Sequence, residues 1–213
     1  ATVYEDSLDT QASIAATGDK SAIILSLRGT EPLDPKNDGL DSDNKPVSFG
    51  EASGINATVN GSSSINWKVS SGWARGYASL RAQVLQALEE VINESSASAT
   101  EPRLYITGHS LGAAMAVLAA LDIAIQGQEV RDETGQRHTF GALSAVQMWN
   151  VAGPRVGDSA FVQAFDSVMS QPEAAEGEEG VVAGGGNGHW LIQNYYDKVP
   201  HFPSGEGGTK YTH

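Results

Sequence analysis

The hydrophobic residues of this chain recur at a helical spacing in some segments and in short continuous runs in others. Between residues 76 and 92 apolar side chains return every three or four positions, which predicts a helix with one buried face. Residues 113–125 are apolar almost throughout and rich in alanine, so they predict a buried helix. Residues 158–169 predict another helix, because Asp158 can cap its N-terminus and its aromatic residues fall on one side.

Shorter apolar runs predict strands between these helices. Residues 11–16 and 23–27 flank the turn residues 17–20 and predict a hairpin. The other predicted strands are residues 104–107, 146–151 and 190–196. Since strands and helices alternate, we predict an α/β fold with a largely parallel sheet flanked by helices, in one domain that takes in residues 1–213.

Two segments interrupt this alternation. Residues 31–71 are rich in Gly, Asn, Asp and Ser and only thinly hydrophobic. A loop of about 40 residues inside a compact domain is unusual, so we interpret it as a lid or binding loop, with a surface insertion of no function as the alternative. Residues 173–188 carry a Glu/Gly run, predict a mobile solvated loop and receive no chemical role.

The composition narrows the possible partners. Acidic residues outnumber basic ones by 26 to 13, which gives a formal net charge of -13 and a pI near 4.6. This balance argues against nucleic acid or an anionic membrane as a partner, and solubility is its simpler explanation. The chain has no cysteine, and its 5 histidines show no zinc-type spacing, so no metal or cofactor is expected.

Neither a membrane span nor a leader is visible in the sequence. No apolar run approaches the roughly 18 to 20 residues that cross a bilayer. The first residue is Ala1 and not Met, so the sequence is either a processed product or an excerpt. Secretion and the oligomeric state therefore stay open at this stage.

The pentapeptide Gly108-His109-Ser110-Leu111-Gly112 lies between a predicted strand and a predicted helix, which is the context of a nucleophile elbow. A strand that turns directly into a helix needs neighbours with almost no side chain, as Gly108 and Gly112 are. Ser110 is then the candidate nucleophile, and the N–H of Leu111 is the first candidate donor of an oxyanion hole. The alternative is a glycine-rich turn with an idle serine.

A serine nucleophile needs a base and an acid that orients the base, in the chain order Ser, acid, His for α/β-hydrolases. Asp197 is the best candidate for the acid, because it follows the predicted strand 190–196 and active sites lie beyond the carboxyl ends of such strands. Asp122 falls inside a predicted helix and Asp158 looks like a helix cap. A turn-forming or salt-bridged role for Asp197 is the alternative.

Several motifs in order make the chain resemble the class 3 lipases, the family of the fungal triacylglycerol lipases. They are Leu27-Arg28-Gly29-Thr30, Gly72-Trp73 with Tyr77, the pentapeptide around Ser110, Gly153-Pro154-Arg155-Val156-Gly157-Asp158, and residues 194–203. The resemblance implies an α/β-hydrolase fold, and it implies that Thr30 supplies the second oxyanion donor by its backbone N–H. It also places the family's lid within residues 31–71, where no compact amphipathic lid helix is visible, so interfacial activation stays open at this stage.

The resemblance leaves the histidine base unassigned. In the family this residue lies some tens of residues beyond the motif that contains Asp197, and we expect it beyond residue 213. His213 is the late alternative by chain order, whereas His138 and His189 precede the acid, His109 belongs to the elbow and His201 to the Asp197 loop. We therefore expect the sequence to be a central portion of a family member, incomplete at both ends.

These observations predict a serine carboxylic ester hydrolase, a lipase that acts on acylglycerols or similar lipids, with a lipid–water interface as a candidate place of action. A phospholipase or short-chain esterase would share every motif. The alternative from another class is a non-catalytic hydrolase-fold protein that binds lipid or a partner. The localisation stays open, and of the alternatives the resemblance favours a secreted protein.

Overall fold

The computed structural model describes residues 1–31, 35–95, 101–127, 140, 143–170 and 187–203. The strands are β1 (Thr2–Glu5), β2 (Thr10–Ala16), β3 (Ala22–Leu27), β4 (Pro46–Ser48), β5 (Thr58–Val59), β6 (Ser62–Ser63), β7 (Lys68–Ser70), β8 (Arg103–His109), β9 (Ala145–Val151) and β10 (Gly188–Ile192). The α-helices are α1 (Pro35–Ser42), α2 (Phe49–Ser53), α3 (Ser71–Ser95), α4 (Leu111–Gly127) and α5 (Ser159–Met169). Short 3₁₀ helices span Ser64–Asn66 and Val199–His201.

The central sheet has six strands in the order β1-β2-β3-β8-β9-β10. The first three strands pair antiparallel, and β3, β8, β9 and β10 pair parallel. The carboxyl ends of four parallel strands therefore meet at one edge, which is where α/β proteins place their sites. The predicted hairpin and the largely parallel sheet are confirmed.

Side chains alternate between the two faces of the sheet. Ile23, Leu25 and Ile106 are fully buried on the face where α3 packs on β2 and α4 packs on β3, β8 and β9. On the other face Trp149 and Trp190 lie side by side in register, with ring centroids 4.7 Å apart, and about two fifths of each side chain is exposed. Among the described residues the hydrophobic core therefore lies between the sheet and α3, α4 and α5.

The last strand differs from the prediction. It spans Gly188–Ile192, so it starts earlier and ends before residue 196. Asn194 causes the early end, since its Oδ1 accepts from the N–H of Tyr196 at 3.1 Å and its carbonyl accepts from the N–H of Asp197 at 3.0 Å. Such Asx turns compete with strand pairing. Tyr195 and Tyr196 lie in the turn with their side chains exposed, although tyrosine favours strands.

The interpretation of residues 31–71 as a loop is corrected by the structure. Apart from residues 32–34, which are not described, the segment folds into α1, α2, four short strands and a 3₁₀ turn. Most of its apolar side chains are buried or partly buried, with Phe49 stacked on Trp67 and edge-on to Phe161 of α5, whereas Ile65 is half exposed. Some of its polar residues act locally, as when Ser48 caps α2. A lid or binding role for the segment stays a prediction, and most of residues 173–188 lies outside the described residues.

A buried ionic cluster joins the two long helices behind the sheet. Asp122 of α4 is fully buried and accepts from the hydroxyl of Tyr77 at 2.6 Å and from Arg81 Nε at 2.7 Å. Both partners belong to α3. Burial, followed by the charge of Asp122, raises the pKa of Tyr77 well above its usual value. The aspartate inside the predicted helix is thus a structural link between α3 and α4.

We expect Asp122→Ala to lower the free energy of unfolding by about 3–5 kcal/mol, because it removes the buried carboxylate that accepts from Arg81 and from the Tyr77 hydroxyl. Urea denaturation measures the change. Asp166→Ala is the matched control, since Asp166 is an exposed helix residue whose loss should cost under about 0.5 kcal/mol. Equal effects of the two substitutions would contradict a structural role for the cluster.

Candidate active site

A single residue connects β8 to α4, and that residue is Ser110. It has a φ of 54°, in the left-handed region that non-glycine residues rarely adopt. Its N–H donates to the carbonyl of Val151 at 3.1 Å, and its own carbonyl accepts from Ala113 N at 2.9 Å. The predicted strand–turn–helix context is confirmed, and the backbone at its corner is strained.

The two glycines of the pentapeptide are required by close approach of backbone atoms. A Cβ at Gly108 would lie 2.2 Å from the carbonyl oxygen of Gly112. A Cβ at Gly112 would lie 2.2 Å from the carbonyl oxygen of Leu27, at the end of β3. Any side chain at either position would therefore push the helix away from the strands that hold Ser110.

Thr30 follows β3 beside the elbow. Leu27 pairs with Gly108, so residues 28–30 continue past the end of β8 next to Ser110. A Cβ at Gly29 would lie 2.7 Å from the carbonyl oxygen of His109, which shows how tightly the two segments touch. Leu111 is buried and starts α4, so its N–H is a first-turn amide with no acceptor within the helix. The oxyanion roles of Thr30 and Leu111 stay predictions.

Asp41 contacts the candidate site residue Thr30, and no pattern in the sequence indicated it. Its Oδ2 accepts from the hydroxyl of Thr30 at 2.6 Å. Burial raises the pKa of Asp41 above its usual value, and the hydrogen bond from Thr30 opposes that rise. Asp41 lies on α1, in the segment interpreted as a loop, so no spacing in the sequence connected it with Thr30.

We expect Asp41→Ala to lower kcat for ester hydrolysis about tenfold at unchanged KM, because Thr30 loses the acceptor that holds it. Asp41→Asn keeps an oxygen acceptor and should stay within about threefold of the wild type. Steady-state kinetics on a soluble ester measure both variants. An equal loss in the two variants would contradict this role.

The raised pKa of Asp41 also predicts a pH dependence of stability. As pH rises from the unfolded pKa through the higher folded pKa, the unfolded chain releases its proton first, so ionisation of Asp41 costs the folded state stability. Asp41→Asn carries no charge at any pH. We therefore expect the free energy of unfolding of Asp41→Asn minus that of the wild type to be larger at pH 7 than at pH 3. Urea denaturation of both proteins at both pH values measures this difference.

Asp197 lies at the same edge of the sheet, five residues after the end of β10 at Ile192. Ile192 pairs with Val151, and Val151 pairs with His109 beside the nucleophile position. The Oδ1 of Asp197 accepts from the N–H of Val199 at 3.0 Å, at the start of the 3₁₀ turn. The structure thus brings the chain segments of Ser110, Thr30 and Asp197 to one edge, and the acid role of Asp197 stays a prediction.

The described histidines occupy three different settings. His109 is the elbow residue directly before Ser110, and His201 ends the 3₁₀ turn after Asp197. His189 lies near the start of β10, where its ring packs edge-on against Phe165 and its Nε2 is 3.9 Å from Asp166 Oδ1. His138 and His213 lie outside the described residues, so a base beyond residue 213, or His213 itself, stays a prediction.

The largely parallel sheet, the helices against it and the strained serine between β8 and α4 define an α/β-hydrolase fold. The chain belongs to the class 3 lipases, since the family model described as lipase (class 3) matches residues 24–206. In the part of the chain that the structure describes, no helix is both long and apolar enough to cross a membrane.

Curated relatives resemble parts of the chain. Phospholipase A1-II 3 of Oryza sativa subsp. japonica is 45% identical over 65 residues, which are 30% of this chain and 14% of that protein. Secreted mono- and diacylglycerol lipase 3 of Gibberella zeae is 32% identical over 98 residues, which are 46% of this chain and 24% of that protein. The alignments thus span a quarter or less of these relatives.

Solved structures resemble nearly the whole chain. The Lip2 lipase of Yarrowia lipolytica superposes with a TM-score of 0.70 at 19% identity, over 100% of this chain and 62% of that chain. The triacylglyceride lipase of Rhizomucor miehei superposes with a TM-score of 0.67 at 23% identity, over 98% of this chain and 62% of that chain. At these identities the likeness confirms the predicted fold.

Proposed function

We propose that this chain carries the nucleophile, the oxyanion hole and the acid of a carboxylic ester hydrolase that acts on acylglycerols or related lipids. The observation that carries the proposal is the positive φ of Ser110, held at 54° between β8 and α4. Strain of this kind persists only where surrounding contacts enforce it, and it lifts the serine oxygen clear of the backbone. Membership of the class 3 lipases supports the same chemistry.

In the proposed reaction Ser110 Oγ attacks the ester carbonyl carbon while a histidine takes its proton. The carbonyl oxygen gains the negative charge, and the N–H groups of Leu111 and Thr30 donate to it. Collapse expels the alcohol, which receives the proton from the histidine, and leaves an acyl-enzyme. Water then attacks the acyl-enzyme in the same manner and releases the acid, while Asp197 holds the histidine in its productive tautomer throughout.

The lipid substrate class rests on the relatives. Their names include a mono- and diacylglycerol lipase and a phospholipase A1, so the substrates that they name are acylglycerols and phospholipids. A short-chain esterase would use the same residues. A series of p-nitrophenyl esters from two to sixteen carbons, with triacylglycerol and phospholipid emulsions beside it, separates these substrates by kcat/KM.

Reaction of the full-length native protein with a fluorophosphonate probe tests the proposal. We expect covalent labelling at Ser110, located by mass spectrometry of the tryptic peptide, because phosphonylation requires an activated serine. A non-catalytic lipid-binding protein with the same fold would bind lipid vesicles without labelling. That outcome would overturn the proposed hydrolase activity.

A further inference from the structure

Asn37 of α1 ties the residue after Thr30 to the turn between β1 and β2. Its side chain is buried with 1% of its surface exposed. Its Oδ1 accepts from the N–H of Glu31 at 2.8 Å, and its Nδ2 donates to the carbonyl of Leu8 at 3.0 Å. The same Nδ2 lies 3.3 Å from the carbonyl of Asp9. One amide group therefore fixes the peptide plane between Thr30 and Glu31 against a second segment.

The turn between β1 and β2 also binds Arg28, at the other end of the segment 28–31. Arg28 Nη2 donates to the carboxylate of Asp9 at 2.5 Å and to the main-chain carbonyl of that residue. The N–H of Arg28 donates to the carbonyl of Gln11 at 2.9 Å. Since Gly29 touches the backbone of His109, residues 28–31 are held at both ends and braced on the elbow in the middle.

Helix α1, which presents Asn37, is itself seated firmly on α3. A Cβ at Gly72 would lie 1.9 Å from the carbonyl oxygen of Leu40, and the N–H of Gly72 donates to the carbonyl of Asp43 at 2.8 Å. Leu40 is fully buried. Asn37 and Asp41 are one helical turn apart and therefore lie on the same face of α1. Helix α1 therefore hydrogen-bonds both Thr30, through Asp41, and Glu31, through Asn37.

We propose that Asn37 is a positioning residue for the oxyanion donor of Thr30. It acts through the N–H of Glu31, which fixes the Thr30–Glu31 peptide plane directly after the Gly29–Thr30 plane that carries the donor, and it touches neither substrate nor nucleophile. The inference rests on the proposed hydrolase function and adds a specific requirement to it. An oxyanion donor is effective only while its N–H points at the place where charge develops, so the loss of Asn37 should affect the transition state more than substrate binding.

We expect Asn37→Ala to lower kcat about 10- to 100-fold while KM for a soluble ester changes less than about twofold. The inhibition constant of an alkyl trifluoromethyl ketone, whose serine adduct carries an oxyanion, should rise by the same factor as kcat/KM falls. Ser64→Ala is the matched control in the same folded segment. The buried hydroxyl of Ser64 binds Ala57 N at 3.1 Å and Ile55 O at 2.6 Å, away from Thr30, so this variant should lose stability and keep kcat.

Asn37→Asp separates positioning from folding if the alanine variant is too unstable to assay. The carboxylate keeps an acceptor for Glu31 but meets the carbonyls of Leu8 and Asp9, so it should destabilise the fold while retaining kcat within about threefold. An unchanged inhibition constant in Asn37→Ala, an equal kcat loss in Ser64→Ala, or a kcat in Asn37→Asp that falls with its stability would overturn the positioning role. Absence of wild-type turnover and of Ser110 labelling would instead overturn the proposed function.

Discussion

Replacing Ser110 by alanine should lower kcat for ester hydrolysis about 10⁶-fold, because no other group can form the acyl-enzyme. The substitution leaves the glycines, the N–H of Leu111 and the N–H of Thr30 in place. We therefore expect the variant still to hydrolyse the ester about 10³ times faster than water alone does, through the oxyanion donors and substrate binding. The measurement is hydrolysis of a chromogenic ester by the full-length protein, with fluorophosphonate labelling in parallel.

Two further variants test whether the loss comes from chemistry. Ser26→Ala changes an exposed serine on β3 and should leave both turnover and labelling unchanged. Ser110→Gly should abolish turnover as fully as alanine does, yet raise the free energy of unfolding by about 1 kcal/mol, since glycine adopts the positive φ at no steric cost. Retention of most esterase activity in Ser110→Ala would show that the nucleophile lies elsewhere.

The elbow could be predicted from the sequence because its determinants are local. Gly108 lies against the backbone of Gly112, and Gly112 lies against the end of the neighbouring strand β3. The strand and the helix on either side of the elbow have clear hydrophobic patterns. The parallel sheet could be predicted for the same reason. The loop that carries Asp197 could be predicted because it follows a strand. Asn194 nevertheless ends that strand earlier than the strand preference of Tyr195 and Tyr196 indicates.

The residues that hold Thr30 and Glu31 in place could not be predicted, because their roles depend on tertiary contacts and not on a local sequence pattern. Asn37 and Asp41 lie in a polar eight-residue helix with few apolar residues, which has no distinct periodic pattern. Their importance comes from hydrogen bonds to residues 6 to 29 positions away in the sequence. Asn and Asp in such a segment usually indicate turns, which is why the folded segment 31–71 was interpreted as a loop.

Asp197→Asn should lower kcat about 10³- to 10⁴-fold, since an amide cannot stabilise the histidinium that forms when Ser110 loses its proton. Asparagine has nearly the same shape as aspartate, and its Oδ1 can still accept from Val199 at the start of the 3₁₀ turn. The loss should therefore appear in kcat and in the rate of fluorophosphonate labelling, with thermal stability nearly unchanged. Asp166→Asn, on the exposed side of α5, is the control and should keep full activity.

The other aspartates considered for this role are engaged in structural contacts. Asp122 is fully buried against Tyr77 and Arg81, and Asp158 accepts from the N–H of Phe161 at 2.9 Å as the cap of α5. Moving either carboxylate to a catalytic histidine would break these hydrogen bonds. Full activity in Asp197→Asn would consequently refute the triad assignment without transferring it to Asp122 or Asp158.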